Sequence, residues 1–387
     1  MHKDKYVFSQ LASFLDRNKF NYIVRKFDGD RYVKHFTCWN QLLSMMFGQL
    51  SNRESLRDLI VALDAHHSKS YHLGTGKNVS KSSLARANQG RDYRIFEEYA
   101  YYLVNEARQK RASDIFKLDG NIYAFDSTTI DLCLSVFWWA KFRKKKGGVK
   151  VHTLYDVETQ IPAFFHITEA SVHDSAAMKE IPYESGSYYI FDRAYNHFRM
   201  LNKIHQIGAF FVVRAKKNLQ YKIIKWKRRL PKNVLSDVMI ELTGFYPKQY
   251  YPEHLRLVRY WDEEQKRELV FLTNAAHISA PQVAELYKNR WQVELFFKWL
   301  KQHLKIKRFW GTTENAVRIQ IYVAMCTYCL VAIVQKDMQL DRSTYEVLQI
   351  LSISLTDKTN LRDLFDRTKF QYDKERFRLN EPNLFNF

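Results

Sequence analysis

The sequence predicts a mixed α/β protein with a helical N-terminal third, a strand-rich centre and a return to helices. Three observations predict it. Apolar residues recur at spacings of three and four through residues 1–110, which is the helix period. From about residue 119 the pattern changes to short aromatic or β-branched runs that end in polar or turn residues. Those runs come in the order strand, hairpin, helix, strand, helix, strand, which is an α/β layout.

In order along the chain, FSQLASFLDRNKFNYIV carries the first helical run, followed by Trp39–Leu50 and Leu56–Leu63. Ser51-Asn-Arg-Glu54 has the composition of a capping box that would start the third of these. Gly74-Thr-Gly76 breaks the pattern, and Ser80–Asn88 then reads as a short helix of small residues with exposed cations. Such a helix suits a DNA major groove and an ordinary surface equally. Asn121–Phe125 is a strand running into Asp126. Gly148–Tyr155 and Ile161–Ile167 alternate like paired strands across a turn at Asp156–Gln160. Ser187–Phe191 is a strand running into Asp192, and Ala209–Val213 follows the helix-like Phe198–Ile207. Residues 214–275 hold further β-like pieces, among them Leu255–Tyr260 and Arg267–Thr273 around the polar turn Asp262–Lys266. No comparable helix separates them, so a β-rich insertion is expected. Helix grammar resumes at Ser279, with Pro281 as a second start signal, and runs to about Lys305. The apolar stretch Ile319–Val334 is short for a bilayer span and reads as a buried helix. Its Cys326-Thr-Tyr-Cys329 has zinc-like spacing but no second Cys/His pair nearby, which favours core packing. The expected domains are 1–110 (helical), 119–213 with 276–335 (α/β core), 214–275 (β-rich insertion) and 336–387 (C-terminal helices).

Composition narrows the function. Apolar residues are 46% of 387, enough for a real core and against global disorder. Lys plus Arg number 61 against 41 for Asp plus Glu, a formal charge of +20, which suits a polyanionic partner. With 12 glycines and 7 prolines, long flexible linkers and collagen-like classes are excluded. MHKDKYVFSQ carries charges where a signal peptide needs an apolar core, and four scattered cysteines suit a reducing cytoplasm.

Asp126 and Asp192 share one context, the carboxyl end of an apolar strand, where open α/β sheets place their sites. Either one alone also suits a turn, and Asp131, Asp156 and Asp174 compete by spacing. The stretch Tyr287–Lys301 gives the stronger signal. At about 100° per residue, Tyr287, Arg290, Glu294, Lys298 and Lys301 fall within an arc of about 80° on an otherwise largely apolar helix. Ion pairs at i,i+4 explain that spacing but not the flanking apolar rows. A carboxylate facing a groove, with cations one turn to either side, can hold a divalent metal while the cations grip phosphates. Three carboxylates from two strands and a helix are what two-metal phosphoryl transfer requires, and hard cations demand such oxygen ligands.

Tyr287-x2-Arg290-x3-Glu294-x6-Lys301 resembles the Y-(2)-R-(3)-E-(6)-K signature of the IS-four family of bacterial insertion-sequence transposases. YAFDST and YIFDRAY resemble the contexts of that family's two catalytic aspartates, and FSQLASFLDRNKF with FTCWNQLLSMMFGQLSNRESLRDL is similar to the helical DNA-binding domain of some members. The resemblance implies a DDE catalytic core with a ribonuclease-H-like fold over about 119–310. It implies that Asp126, Asp192 and Glu294 are catalytic and bind two Mg²⁺ per site, with Mn²⁺ able to substitute. Tyr287, Arg290 and Lys301, with Lys298, would contact DNA phosphates. It further implies binding to the element's terminal inverted repeats, cleavage and joining of 3′ ends to target DNA, and a homodimeric synaptic complex in the bacterial cytoplasm, with no membrane. In one departure, Leu269 stands where relatives carry a base-stacking Trp, with Tyr260 and Trp261 on the neighbouring strand. Two basic stretches fit double-stranded DNA: Lys141–Lys150, and 214–232 with nine Lys/Arg, no acid, Tyr221 and Trp226. The alternatives are a catalytically inactive, transposase-derived DNA-binding protein or repressor, and a glycoside hydrolase using paired carboxylates, against which the basic stripe argues.

Overall fold

The computed structural model describes residues 5–76, 79–112, 116–143, 146–303 and 309–367. Helices α1 (Val7–Ala12), α2 (Arg17–Lys26), α3 (Cys38–Leu50), α4 (Leu56–Ala65), α5 (Ser70–Leu73), α6 (Lys81–Gly90) and α7 (Arg94–Lys110) form the N-terminal part. The first helical run is therefore two helices, because the Asp16 carboxylate caps α2 at the Lys19 N–H and restarts the chain there. The capping box expected at Ser51–Glu54 is a correction. Ser51 ends α3, its hydroxyl donating to the Phe47 carbonyl, and Ser55 is the cap of α4 through the Asp58 N–H. α5 ends at Gly74, whose φ of 85° only glycine adopts freely.

The strands are β1 (Ile122–Leu132), β2 (Lys141–Arg143), β3 (Lys146–Asp156) and β4 (Ile161–Glu169), then α8 (Asp174–Ala177), β5 (Tyr188–Phe191), α9 (Phe198–Gln206) and β6 (Phe210–Arg214). β7 (Tyr221–Trp226) and β8 (Val234–Leu242) follow, then the short α10 (Phe245–Tyr250), β9 (Leu255–Asp262) and β10 (Arg267–Thr273). The last described elements are α11 (Ala280–Lys288), α12 (Trp291–His303), α13 (Glu314–Asp337), α14 (Thr344–Ser354) and α15 (Leu361–Arg367), and the end of the expected C-terminal helical region, 368–387, lies outside the described residues.

Among the described residues, ten strands join one sheet in the order β2-β3-β1-β5-β6-β10-β9-β8-β7, with β4 on β3. β1, β5 and β6 pair in parallel and the rest antiparallel. The strands of 214–275 thus extend the central sheet, because β10 returns to pair with β6. Side-chain alternation explains the apolar runs. Ile122, Ala124, Tyr188, Ile190 and Val212 enter a large core shared with α3, α7, α11, α12 and α13. Tyr123, Phe125, Tyr189, Phe191, Phe211 and Val213 enter a second core with α9 on the opposite face. A sheet covered on both faces needs apolar residues at successive positions.

α13 is longer than its apolar stretch suggested. Its 24 residues are long and apolar enough to cross a membrane, yet 94% of its most apolar window is buried inside the protein, against α3 and α7. Cys326 and Cys329 are wholly buried on it. In the extension of the sheet, Arg256 and Asp237 form a buried ion pair at 2.7 Å, and Arg256 also donates to the Ala275 and Ile278 carbonyls. Asp237→Ala strands that guanidinium and is expected to lower unfolding free energy by about 3–5 kcal/mol in a urea titration. A loss below about 1 kcal/mol would show the pair to be dispensable.

Candidate active site

Three parallel strands set the geometry. Phe125 lies opposite Phe191 and Phe191 opposite Val213, so the next residues, Asp126, Asp192 and Arg214, form one row at the carboxyl end of the parallel core. Each is two residues beyond a side chain of the larger core (Ala124, Ile190, Val212), so alternation turns all three toward α11 and α12. One expectation is corrected here: Asp126 is not at a strand end. β5 gives out at Phe191, but β1 keeps β3 as its partner from Asp126–Thr153 to Leu132–Gly147 and continues six residues past the aspartate.

The helix expected over Tyr287–Lys301 is also corrected. It breaks at Asn289–Arg290, where Arg290, Gln292 and Val293 donate to carbonyls three residues back and tighten the turn. Arg290 therefore stands in the bend between α11 and α12 and does not belong to a continuous stripe. Val293, Phe296, Phe297 and Leu300 anchor α12 in the core, while Trp291 and Leu295 are exposed.

The bend delivers Arg290 between two carboxylates. Its Nη1 donates to Asp126 Oδ2 at 3.1 Å and its Nη2 to Glu294 Oε1 at 2.6 Å. The Tyr287 hydroxyl donates to Asp192 Oδ1 at 3.1 Å. Lys301 Nζ donates to the Thr129 carbonyl at 2.8 Å, tying α12 to β1. Three of the four side chains assigned to phosphates by resemblance are thus bonded within the protein, and Lys298 is exposed.

Burial pushes the Asp126 carboxyl up to about 6; Arg290 and the Ser127 N–H oppose that, and Glu294 and Asp192 add to it. Asp126 therefore feels the charge of both other acids. Burial works against the Arg290 charge, yet Tyr287, Glu294 and Asp126 hold the guanidinium protonated more firmly than usual. Burial also pushes the Tyr287 phenol up to about 12, with Asp192 adding to it, so it acts as a donor at neutral pH.

A second layer supports Asp126 from the other face of β1. The Ser127 N–H donates to Asp126 Oδ1 at 2.8 Å, and its hydroxyl donates to Asp174 Oδ1 at 2.7 Å. Lys150 pairs with Asp174 at 3.0 Å. Burial tends to raise Asp174, but the Ser127 and Lys150 bonds hold it below the ordinary carboxylate range. Of the competing acids, Asp156 is a turn residue that accepts from the Glu158 and Thr159 N–H groups and pairs with Arg108. Asp131 lies exposed on β1, five residues beyond Asp126.

Among the described residues, no three of His, Cys, Asp and Glu come close enough to enclose a metal ion as they stand. Asp126 and Glu294 are separated by the guanidinium that bonds both. The donors are oxygen-only, the set hard divalent cations prefer, and a cationic group already sits among them.

Of the basic stretches, the tip of Lys141–Lys150 at 144–145 lies outside the described residues, and Lys150 is taken by Asp174. β7 is exposed along its whole length, with Trp226 67% exposed. Leu269 is buried, Tyr260 half-buried and Trp261 exposed. α6 is a helix capped by Ser80, with Lys81 and Arg86 exposed.

Comparison with known proteins adds to this geometry. The family described as "Transposase DDE domain" matches residues 117–330, and "Domain of unknown function (DUF4372)" matches residues 3–76. The chain is 34% identical over 291 residues to "Putative transposase y4zB" of Sinorhizobium fredii, covering 73% of this chain and 77% of that one. It is 29% identical over 251 residues to "Probable transposase for insertion sequence element IS5377" of Geobacillus stearothermophilus, covering 64% and 66%. A third relative, "Putative transposase for insertion sequence element IS4SA" of Synechocystis sp., is 25% identical over 291 residues, covering 73% and 80%.

Proposed function

The chain belongs to the Transposase DDE domain family, and we propose that it mobilises an insertion sequence of the IS-four type through a ribonuclease-H-like core. In this reading it binds the terminal inverted repeats, cleaves the DNA by hydrolysis and joins the 3′ ends to target DNA, acting as a dimer that holds two ends together. The N-terminal helices contribute to DNA binding. The observation that carries the reading is the row of Asp126 and Asp192 facing Glu294, linked through Arg290 and Tyr287.

Asp126, Asp192 and Glu294 would hold two Mg²⁺, which supply an activated water or 3′-OH and stabilise the leaving oxygen. The chain's own part is to gather these acids and exclude wrong geometries. Tyr287 fixes Asp192 by its hydroxyl, and the Ser127 N–H fixes Asp126 from behind. Arg290 neutralises the acids when no metal is bound, and on DNA its guanidinium is available to a phosphate. Lys298, one turn beyond Glu294 and exposed, meets the backbone.

The test is a supercoiled plasmid carrying the element ends, incubated with the protein and Mg²⁺ or Mn²⁺. Nicking that EDTA abolishes is expected. End binding without nicking would return the chain to the repressor reading, and activity that survives EDTA would remove metal chemistry altogether. Lys298→Ala should weaken end binding and lower the slope of log affinity against log salt by about 1. An unchanged slope in fluorescence anisotropy would take Lys298 off the DNA.

A further inference from the structure

Asp126 lies just beyond the last pair of β1 with β5, Phe125 opposite Phe191. Past that pair, among the described residues, β3 is the only strand beside β1, while the chain leaves β5 for a single turn at Arg193–Tyr195. Side chains brace the segment there, in two arms. The first is Tyr195, on the turn that begins at Asp192, its N–H donating to the Asp192 carbonyl at 3.0 Å. Tyr195 is buried, and its ring lies edge-on to Phe125 at 5.3 Å and against Phe191 at 6.0 Å. Its hydroxyl donates to Asp126 Oδ1 at 3.5 Å. The second arm is Asp174, at the start of α8, which packs against that same turn. Asp174 Oδ1 accepts from the Ser127 hydroxyl at 2.7 Å and pairs with Lys150 Nζ at 3.0 Å. Lys150 also donates to the Val172 carbonyl at 2.8 Å, which pins the approach to α8.

We propose that Tyr195 and Asp174 are positioning residues for Asp126: Tyr195 directly, and Asp174 through Ser127, fix Oδ1 so that Oδ2 is the oxygen offered to a divalent cation. The proposal rests on the transposase reading and deepens it. Two bonds of separate origin meet on Oδ1, from the Ser127 N–H at 2.8 Å and from the Tyr195 hydroxyl. Oδ2 instead takes the bond from Arg290, the group that also holds Glu294. The carboxylate is thus anchored by one oxygen and turned toward the other acids by its second. Ser127 has both its N–H and its hydroxyl committed, so turning the peptide that holds Oδ1 also breaks the bond to Asp174.

An ion pair serving stability alone needs no route to the acid, whereas Lys150 and Asp174 reach it in one further residue. The two arms come from different parts of the chain, β3 with α8 for one and the turn after Asp192 for the other. Tyr195 also couples the two aspartates, because its turn starts at Asp192 while its hydroxyl ends on Asp126. A satisfied polar network rigidifies the groups it encloses. Partners behind a ligating group orient it, and losing one weakens metal binding by about 10–100-fold.

The experiment uses the full chain, alone and bound to a duplex of the element ends, and reads Mn²⁺ affinity by electron paramagnetic resonance of the free ion. Tyr195→Phe keeps the ring and removes the hydroxyl. Ser127→Ala cuts the link to Asp174 and leaves the Lys150–Asp174 pair whole, and Asp174→Ala removes the acceptor itself. Each is expected to weaken Mn²⁺ binding about tenfold, with DNA affinity in EDTA, by anisotropy, within a few-fold of wild type. Ser127→Thr, which restores a hydroxyl, should bind Mn²⁺ as wild type does. Melting in EDTA separates position from structure. Tyr195→Phe and Ser127→Ala should melt close to wild type, and Ser127→Ala alone decides the second arm if Asp174→Ala does not fold. Mn²⁺ affinity within about twofold of wild type in Tyr195→Phe overturns the part of Tyr195, and in Ser127→Ala the part of Asp174. Lower melting temperatures beside unchanged Mn²⁺ affinity would mark both residues as structural. A parallel loss of Mn²⁺ and DNA affinity also overturns the proposal, since it would mean a general loosening. Ser127→Thr as weak as Ser127→Ala removes the Asp174 arm. Unchanged Mn²⁺ affinities alongside metal-dependent nicking remove this proposal alone; a wild type that binds no Mn²⁺ and nicks no DNA removes both.

Discussion

Glu294→Gln is expected to lower metal-dependent DNA nicking at least a thousandfold while leaving affinity for the element ends within a few-fold of wild type. A thousandfold is about 4 kcal/mol of transition-state stabilisation, the scale of one lost metal ligand. Gln keeps the length of the side chain and its bond to Arg290 but removes the charge, so folding should be spared. The assay is single-turnover nicking beside an anisotropy titration. A variant that nicks within tenfold of wild type would remove Glu294 from the chemistry.

Arg290→Gln should have the opposite character, damaging the metal-free protein first. Without the guanidinium, Asp126 and Glu294 face each other unneutralised, and stability in EDTA is expected to fall by about 2 kcal/mol. That is below the full penalty of a buried pair, because the Glu294 side chain is 48% exposed. Mn²⁺ should restore most of the loss. The pH dependence follows from Asp126, whose pKa in the folded protein is raised to about 6. A raised carboxyl contributes stability below its unfolded value, and that contribution is lost as pH rises through about 6. A divalent cation competes with the same proton, so Mn²⁺ affinity should weaken as pH falls below about 6. Arg290 opposes the upward shift, so in the variant the weakening should begin at higher pH. Electron paramagnetic resonance of free Mn²⁺ measures both. Affinity independent of pH, and identical in the variant, would mean the acids do not hold the ion.

How much of this was legible in the sequence depends on the range of the interaction. The strands YAFD and YIFD were readable because a sheet covered on both faces demands apolar residues at every position, and the polar residue that follows stands out. Their parallel register, which sets Asp126 beside Asp192, had no local mark, because β1 and β5 are joined through the β3–β4 hairpin and the short α8. The end of β1 was not legible, because β3 sustains it beyond the point where β5 stops, a long-range pairing with no local mark. The spacing Tyr287, Arg290, Glu294 was visible, but the wheel assumed a straight helix. No Pro or Gly announces the break at Asn289–Arg290, which comes from packing of α11 and α12 onto different parts of the sheet. Hence the sequence suggested that Arg290 and Tyr287 point at a ligand, while the fold turns them onto Asp126, Glu294 and Asp192. The misplaced cap at Ser51 had the right composition four residues too early, a local signal with two valid solutions.

Anomalous diffraction from crystals of the DNA-bound protein soaked in Mn²⁺ tests the shared oxygen cage directly. Two peaks about 3.5–4 Å apart, touching oxygens of Asp126, Asp192 and Glu294, with Arg290 turned away from Asp126, are the expected result. Density elsewhere, or none while Arg290 still bridges Asp126 and Glu294 on cleaved DNA, would contradict it.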